Sequence, residues 1–337
     1  MTELNDQYHR TMRDLRISVT DRCNFRCTYC MPKEVFNSKY QFLVRDDLLS
    51  FEEIARLAKI FSQNGVSKLR LTGGEPLLRK NLDVLISELG KIPNISDIAL
   101  TTNASLLTLD KARELKKSGL HRITVSLDAI DQDTFVKMND RNVSVQKVLD
   151  GIDNARSAGF DNIKVNMVVQ KGANENDILP MAKYFKGTGN ILRFIEFMDV
   201  GNTNGWNLDQ VVSGQEIIQR ISEQLPIEPV DPQYRGEVAK RWQYKDGSGE
   251  LGVITSVTKA FCGDCNRIRL SAEGSIYTCL FASTGVDLRR LLREGASDEY
   301  INEVIANTWR ERTDRYSELR GHGTSDVQKV EMSYIGG

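Results

Sequence analysis

Short apolar, β-branched segments alternate with segments of helical periodicity over the first two thirds of this chain of 337 residues. The predicted strands cover residues 15–19, 68–72, 98–102, 123–127, 163–169 and 192–198. The predicted helices cover residues 51–63, 82–89, 110–118, 145–157, 176–185 and 215–224. Strands that alternate with helices in this way form a parallel sheet with crossover helices. Six units are too few for a closed eight-stranded barrel, so the pattern predicts an α/β fold with an incomplete (βα)6 barrel.

The pattern changes after residue 225. Pro226, Pro229 and Pro232 interrupt the chain, and residues 238–277 have the composition of short strands joined by glycine-containing turns. Helical segments follow. We therefore predict two parts: a barrel over residues 1–228, and a C-terminal domain over residues 229–337 with mainly antiparallel strands and helices.

Charge and cysteine usage limit the classes of function. The chain has 45 basic and 46 acidic residues, and this net charge of -1 predicts neither a nucleic-acid nor a membrane partner. The N-terminal residues are polar and no run of 18 apolar residues occurs, so we expect a cytoplasmic protein. In the cytosol, six cysteines favour metal binding or catalysis over disulfides.

A first cysteine array directly follows the first predicted strand. Cys23, Cys27 and Cys30 have the spacing C-x3-C-x2-C. Three thiolates in one loop can hold a four-iron cluster and leave one iron open. The alternative, a structural zinc site, prefers four ligands, and no fourth Cys or His is nearby in the sequence. The spacing, with Tyr29 between the second and third cysteines, resembles that of the radical S-adenosylmethionine (SAM) superfamily.

The segment Leu-Thr-Gly-Gly-Glu-Pro-Leu at residues 71–77 lies where an α/β barrel places its functional loops. Gly73 and Gly74 lack a Cβ and let backbone approach a ligand closely, and Glu75 offers a carboxylate to a cationic amino group. Alone, this segment would be an ordinary turn. In radical SAM enzymes this motif receives the amino group of SAM, so the resemblance implies the same here.

A second array contains the other three cysteines. Cys262, Cys265 and Cys279 have the spacing C-x2-C-x13-C. Half of a zinc ribbon is the alternative, but it would need a fourth ligand. The only late histidine, His322, is more typical of a surface or packing residue. We therefore predict a second three-cysteine cluster whose open iron could coordinate a substrate atom.

Two arginines follow this array. Arg267 and Arg269 are two positions apart and share a face if the segment is a strand. Guanidinium groups bind phosphates bidentately and stay charged. Solvated strand charges are the alternative. Arginines beside an iron that can ligate a base suggest a nucleoside triphosphate.

These motifs together resemble one family, the GTP 3′,8-cyclases (molybdenum cofactor biosynthesis protein A). The resemblance rests on DLRISVTDRCNFRCTYCMP, LRLTGGEPLLR, LTTN, VSLDAI, RFIEFMDVG, FCGDCNRIRL, TCLF and the terminal IGG. It implies a TIM-like radical SAM barrel and the conversion of GTP to (8S)-3′,8-cyclo-7,8-dihydroguanosine 5′-triphosphate, early in molybdenum cofactor synthesis. The chain departs from the family pattern at Lys259-Ala260, where proline is common, and at Ala104, where glycine is usual.

The resemblance also implies roles for individual residues. It assigns the SAM-binding [4Fe-4S] cluster to Cys23, Cys27 and Cys30. It assigns SAM contacts to Tyr29, Gly74, Ser126 and Met198. It assigns a second [4Fe-4S] cluster to Cys262, Cys265 and Cys279. It assigns GTP contacts to Arg16, Arg70, Thr101, Lys164, Arg193, Arg267 and Arg269. For Lys164 and Arg193, a structural ion pair is the alternative.

Further expectations concern partners and alternatives. The resemblance implies an electron donor such as flavodoxin or ferredoxin, a downstream pyranopterin-forming enzyme, a homodimer, and a tail whose Gly336 and Gly337 reach the active site. The alternative enzyme is a radical SAM peptide-modifying enzyme with an auxiliary cluster, in which Arg267 and Arg269 would have no evident role. An iron–sulfur sensor or zinc adaptor is the non-enzymatic alternative, and it leaves the Gly-Gly-Glu-Pro loop unexplained.

Overall fold

The computed structural model of the chain describes residues 4–234, 236–320 and 328–337. His322, considered above as a surface residue, lies outside these residues. None of the described helices is both long and apolar enough to span a bilayer.

Six strands of the N-terminal region pair in sequence order and all run parallel. They are β1 Asp14–Ser18, β2 Lys68–Thr72, β3 Asp97–Thr102, β4 Arg122–Ser126, β5 Lys164–Val169 and β6 Ile191–Glu196. Each lies within two residues of its predicted bounds. The predicted α/β fold with six βα units is confirmed. The last strand ends at Glu196, so Met198 lies in the loop beyond it.

The C-terminal strands extend this same sheet at both of its edges. They are β7 Ile227–Val230, β8 Lys240–Tyr244, β9 Glu250–Ile254, β10 Arg267–Leu270, β11 Ser275–Tyr277 and β12 Val286–Asp287. Strand β9 pairs parallel with β6, and β10 pairs parallel with β1. The other C-terminal pairings are antiparallel, as predicted. The described residues form no ladder between β9 and β10. The division at residue 228 stays a prediction.

Most of the helices are amphipathic and bury their apolar sides in the core. They are α1 Phe51–Gln63, α2 Leu82–Gly90, α3 Leu109–Lys117, α4 Gln132–Asn139, α5 Val145–Ser157, α6 Ile178–Phe185, α7 Gly214–Ser222, α8 Leu288–Arg293, α9 Asp298–Arg310, α10 Tyr316–Leu319 and α11 Met332–Ile335. The helix α1 begins with a capping box, in which Ser50 and Glu53 satisfy each other's backbone N–H groups. Helix α4 was not predicted, because its sequence is mostly polar and only Phe135 and Met138 are large, buried apolar residues.

The two faces of the parallel sheet differ in chemistry. Leu15 and Leu69 on neighbouring strands belong to one continuous apolar core with the buried side chains of the helices. On the opposite face, Arg16 of β1 is the register partner of Arg269 in β10 and of Arg70 in β2. Register partners on parallel strands point to the same side. The pairing therefore gathers cationic side chains from distant segments on one inner face.

One helix glycine fits only because it lacks a side chain. A Cβ at Gly151 in α5 would lie 2.3 Å from the carbonyl oxygen of Ala104, in the turn after β3. Ala104 has a left-handed backbone (φ 56°), where the family usually has glycine. Close contact between α5 and this turn thus positions the end of β3, which lies in the candidate site.

We expect Gly151→Ala to lower the free energy of unfolding by about 1–3 kcal/mol, because the new methyl group clashes with backbone that cannot move cheaply. The matched control is Gly90→Ala at the end of α2, where a Cβ would meet nothing within 4 Å. Urea denaturation of both variants checks this. Equal midpoints for the two variants would show that the contact with Ala104 is unimportant.

Candidate active site

One large cavity, of about 610 Å³, lies against the inner face of the sheet. Both cysteine arrays line it, and so does every residue for which the sequence predicted a SAM or GTP contact. Its volume is in the range of pockets that bind small molecules, roughly 300–1,000 Å³. The structure therefore brings all the predicted site residues to one place, while their individual roles stay predictions.

The first cysteine loop is held by its own backbone and by Arg26. The N–H groups of Cys30 and Met31 both donate to the carbonyl oxygen of Cys27, at 2.9 and 2.8 Å. Arg26 donates to the carbonyl oxygens of Cys23 at 2.8 Å and of Phe36 at 2.7 Å. These bonds fix the loop that directly follows β1.

The thiols of this loop are suited to hold a cationic centre. Burial raises the pKa of Cys23 to about 12, with the charge of Glu75 adding to the effect. Burial likewise raises the pKa values of Cys27 and Cys30 far above the usual range. Thiolates at these positions therefore need a positive partner, which bound iron supplies.

Among the described residues, no three Cys, His, Asp or Glu side chains are grouped closely enough to hold a single metal ion. An iron–sulfur cubane takes each thiolate on a different iron. All six cysteines are free and line the cavity, so the donor set of each array, three thiols, fits a cluster with one iron left open.

The Gly-Gly-Glu-Pro loop contacts the first cysteine loop directly. A Cβ at Gly74 would lie 2.3 Å from the carbonyl oxygen of Arg22, and the Gly74 N–H donates to Thr20 at 2.7 Å. Glu75 is buried and accepts hydrogen bonds from the Thr102 hydroxyl at 2.6 Å and from the Asn103 N–H at 2.7 Å. Glu75 also lines the cavity, so the expectation that this loop receives a ligand amino group stays a prediction. The carboxylate ties the loops after β2 and β3 together.

Sequence reasoning missed a buried acid beside the first array. Asp128 lies two residues beyond β4, lines the cavity, and accepts hydrogen bonds from the Tyr29 hydroxyl at 2.8 Å and from the Val168 N–H at 2.9 Å. Burial raises the pKa of Asp128 to about 6, and its two hydrogen bonds oppose that rise. Its position in the VSLDAI segment, at the carboxyl end of a strand, was the available signal.

The middle of the cavity is lined by cations without directly paired carboxylates, and Asp14 and Glu237 of the lining act on some of them only from a distance. Arg16, Arg70, Lys164, Arg193 and Arg269 line it, and within the described ranges none of the five forms an ion pair with a carboxylate. Two other cations of the lining, Arg122 and Arg241, are by contrast paired with Asp97 and Glu250. The structural ion pair considered for Lys164 and Arg193 is therefore absent from the part of the chain that the structure describes.

The unpaired cations have spare donors and an electrostatic need for an anion. The Nε atoms of Arg16 and Arg70 are buried without a hydrogen-bond partner among the described residues. Burial and the charges of Arg193 and other arginines lower the pKa of Lys164 to about 8. Burying several cations next to one another costs free energy unless an anion binds between them.

The second cysteine array differs from the first in its charge environment. Arg267 donates from Nε and Nη2 to the Cys265 sulfur, at 3.3 and 3.2 Å, and Arg312 donates to the same sulfur at 3.3 Å. Burial by itself would raise the pKa of Cys265, but Arg267 and Arg312 lower it to about 6. Burial raises the pKa of Cys279 to about 12. Arg267 thus contacts a cysteine of the array as well as the cavity.

The C-terminal tail enters the cavity, as predicted. The carbonyl oxygen of Gly336 accepts a hydrogen bond from Arg269, and Gly337 lines the cavity. A Cβ at Gly336 would lie 2.3 Å from the Thr72 side chain, and the residue has a φ of 77°. Glycine is therefore needed for the tail to pass β2 at this point.

A cluster that the sequence did not reveal holds the tail in place. Asp199, one residue after Met198, accepts hydrogen bonds from Tyr316 at 2.5 Å, Arg320 at 2.8 Å and Lys329 at 2.8 Å. These contacts lower the pKa of Asp199 in spite of its burial. The loop after β6 and the last residues of the chain are thereby joined.

Comparisons with known proteins agree with this geometry. A family model of the radical SAM superfamily matches residues 17–185, and one named Molybdenum Cofactor Synthesis C matches residues 190–318. The GTP 3′,8-cyclases of Acidothermus cellulolyticus and Staphylococcus epidermidis are each 50% identical to the chain, with 99% of both sequences covered. The crystal structure of Streptococcus suis SuiB bound to precursor peptide SuiA has a TM-score of 0.63 at 13% identity, covering 94% of this chain and 68% of SuiB. That likeness shows the fold alone. On the full-length identity, the chain belongs to the GTP 3′,8-cyclase family of radical SAM enzymes.

Proposed function

We propose that this chain converts GTP to (8S)-3′,8-cyclo-7,8-dihydroguanosine 5′-triphosphate, as an early step of molybdenum cofactor synthesis. The observation that carries the proposal is the group of five unpaired cations between two cysteine arrays in one cavity. A triphosphate supplies the negative charge that these side chains lack. The names of the full-length relatives support GTP as the nucleotide.

The first array is proposed to hold a [4Fe-4S] cluster through Cys23, Cys27 and Cys30, with SAM beside Tyr29, Gly74, Ser126 and Met198. Once bound, the cluster and SAM would supply one-electron radical chemistry directed at the substrate ribose. The protein positions the residues around this site. Glu75 joins the loops after β2 and β3, and Asp128 orients Tyr29. A fixed geometry of this kind makes a reactive group selective.

The second array is proposed to hold another [4Fe-4S] cluster through Cys262, Cys265 and Cys279, and to anchor the purine. Contacts with GTP are proposed for Arg16, Arg70, Thr101, Lys164, Arg193, Arg267 and Arg269, with the arginines holding the triphosphate. The Thr101 hydroxyl already accepts a hydrogen bond from Arg70 at 3.1 Å, which orients that guanidinium. The contact of Arg269 with the tail positions a second guanidinium.

The remaining partners are proposed from the family. They are a cytoplasmic flavodoxin or ferredoxin as the electron donor, a downstream enzyme that forms the pyranopterin, and a second copy of the chain in a homodimer. The peptide-modifying alternative has no support of its own, since the likeness to SuiB concerns the fold only.

Iron content tests the two clusters. Anaerobically reconstituted protein is expected to carry about eight irons, as two four-iron clusters require. Replacing Cys262, Cys265 and Cys279 together by serine should remove about half of this iron and leave the spectrum of the first cluster unchanged. The matched control replaces Cys23, Cys27 and Cys30 in the same way. Stoichiometric zinc at the second array of active protein would contradict the proposal.

Arg269→Ala is expected to weaken GTP binding well over tenfold, because an unpaired buried charge contact costs roughly 2–5 kcal/mol. Arg269 is a cleaner test than Arg267, which also contacts the Cys265 sulfur. Arg241→Ala is the control, since Arg241 lines the cavity but is already neutralised by Glu250. Anaerobic equilibrium binding of GTP measures both. A phosphate role for Arg269 is excluded if the two variants bind GTP as the wild type does.

Deleting Gly336 and Gly337 is expected to leave both clusters assembled and SAM cleavage detectable, while cyclised product nearly disappears. The reason is that Arg269 loses the carbonyl partner that orients it. Quantifying 5′-deoxyadenosine and cyclised nucleotide in the same reaction measures the two effects separately. Wild-type product formation by the truncated enzyme would show that the tail has no role in positioning.

A further inference from the structure

Arginines from two distant segments enclose the second cysteine array. Arg10 lies shortly before β1 and Arg312 lies shortly after α9, and each is only 4% exposed. Arg10 donates to the carbonyl oxygen of Cys262 at 2.8 Å, and Arg312 donates to that of Cys265 at 2.8 Å. The segment before β1 and the segment after α9 therefore meet at the backbone of this array.

Arg312 makes the more direct contact with the array. Its Nη2 donates to the Cys265 sulfur at 3.3 Å, and its Nε donates to Asp314 at 3.3 Å. Its guanidinium carbon lies 4.6 Å from the centre of the Trp309 ring, which restrains the plane of the group. All three nitrogen atoms of the guanidinium thus have protein partners.

Acidic groups balance part of the charge of these arginines. Asp6 lies between the two, 2.5 Å from Arg10 and 3.5 Å from Arg312, and it is buried. Asp314 adds one more carboxylate, partly exposed at the edge, and the charge of Asp14 acts on Arg267. Arg267 and Arg312 both donate to the Cys265 sulfur, so two guanidinium groups contact that sulfur directly.

Such a charge has a defined effect on an iron–sulfur cluster. Hydrogen bonds to ligand sulfur and nearby positive charge stabilise the reduced state, which carries one more electron, and so raise the reduction potential. Partners in this outer layer also orient the ligands, and their removal weakens metal retention.

We propose that Arg312, fixed by Asp6 and Trp309, positions Cys265 and raises the reduction potential of the second cluster. This inference rests on the proposed presence of that cluster. The residue acts through Cys265 and is therefore a positioning residue.

The test uses the full-length chain in which Cys23, Cys27 and Cys30 are serine, so that any cluster present is the second one. Iron is measured first, followed by the midpoint potential in a redox titration monitored by electron paramagnetic resonance. Arg312→Gln is expected to shift the midpoint to a more negative value. Arg312→Lys, which keeps the charge, is expected to shift it less. The control is Arg310→Gln, an exposed arginine at the end of α9, which should leave the midpoint unchanged.

The outcomes separate this inference from the proposed function. A serine-substituted parent without iron would refute the second cluster itself. If the parent carries about four irons and Arg312→Gln has the same midpoint potential as the parent, the second cluster is supported. The proposed role of Arg312 is then overturned. If Arg312→Gln loses iron while its circular dichroism spectrum stays native, the proposed positioning of Cys265 by Arg312 is supported. The midpoint potential of Arg312→Lys then tests the effect of Arg312 on the reduction potential.

Discussion

Repulsion between like charges on the inner face of one sheet is the constraint on which the rest of this structure depends. The register places Arg269, Arg16 and Arg70 side by side on three neighbouring strands. These side chains cannot move apart, because the apolar residues on either side of each arginine in its own strand pack into the core on the opposite face of the sheet. An anion bound in the cavity would relieve the cost of this arrangement, as proposed for the triphosphate of GTP. Such binding would also stabilise the folded protein.

The two cysteine arrays are fixed by different means, and the difference fits their different tasks. The first is locked to the loop after β2 by a backbone approach that only glycine permits at residue 74. Burial raises the pKa values of its thiols, and the charges of Glu75 at Cys23 and of Asp128 at Cys27 add to the effect. The second is held by arginine side chains that donate to Cys265 and to backbone carbonyl groups. One array is thus a tightly packed loop, and the other is set in positive charge beside the proposed phosphate contacts.

The ends of the chain complete the site. The N-terminal segment supplies Asp6 and Arg10 to the second array, and the C-terminal tail supplies the carbonyl partner of Arg269. The Asp199 cluster joins this tail to the loop that follows β6, next to Met198. A change in the tail can therefore alter the proposed GTP contact at Arg269 and the proposed SAM contact at Met198 together.

Much of the fold and both cysteine arrays could be read from the sequence, because strand periodicity and cysteine spacing are local properties. The six βα units were predictable on that basis, whereas the proposed SAM and GTP contacts came from the family resemblance. Long-range contacts decided the rest. The parallel pairing of β9 and β10 with β6 and β1, the internal hydrogen bonds of Glu75 and the approach of Arg312 to Cys265 each join segments far apart in the chain. No local pattern encodes such contacts, since they arise only when the sheet register and the packing of both chain ends bring the partners within hydrogen-bonding distance.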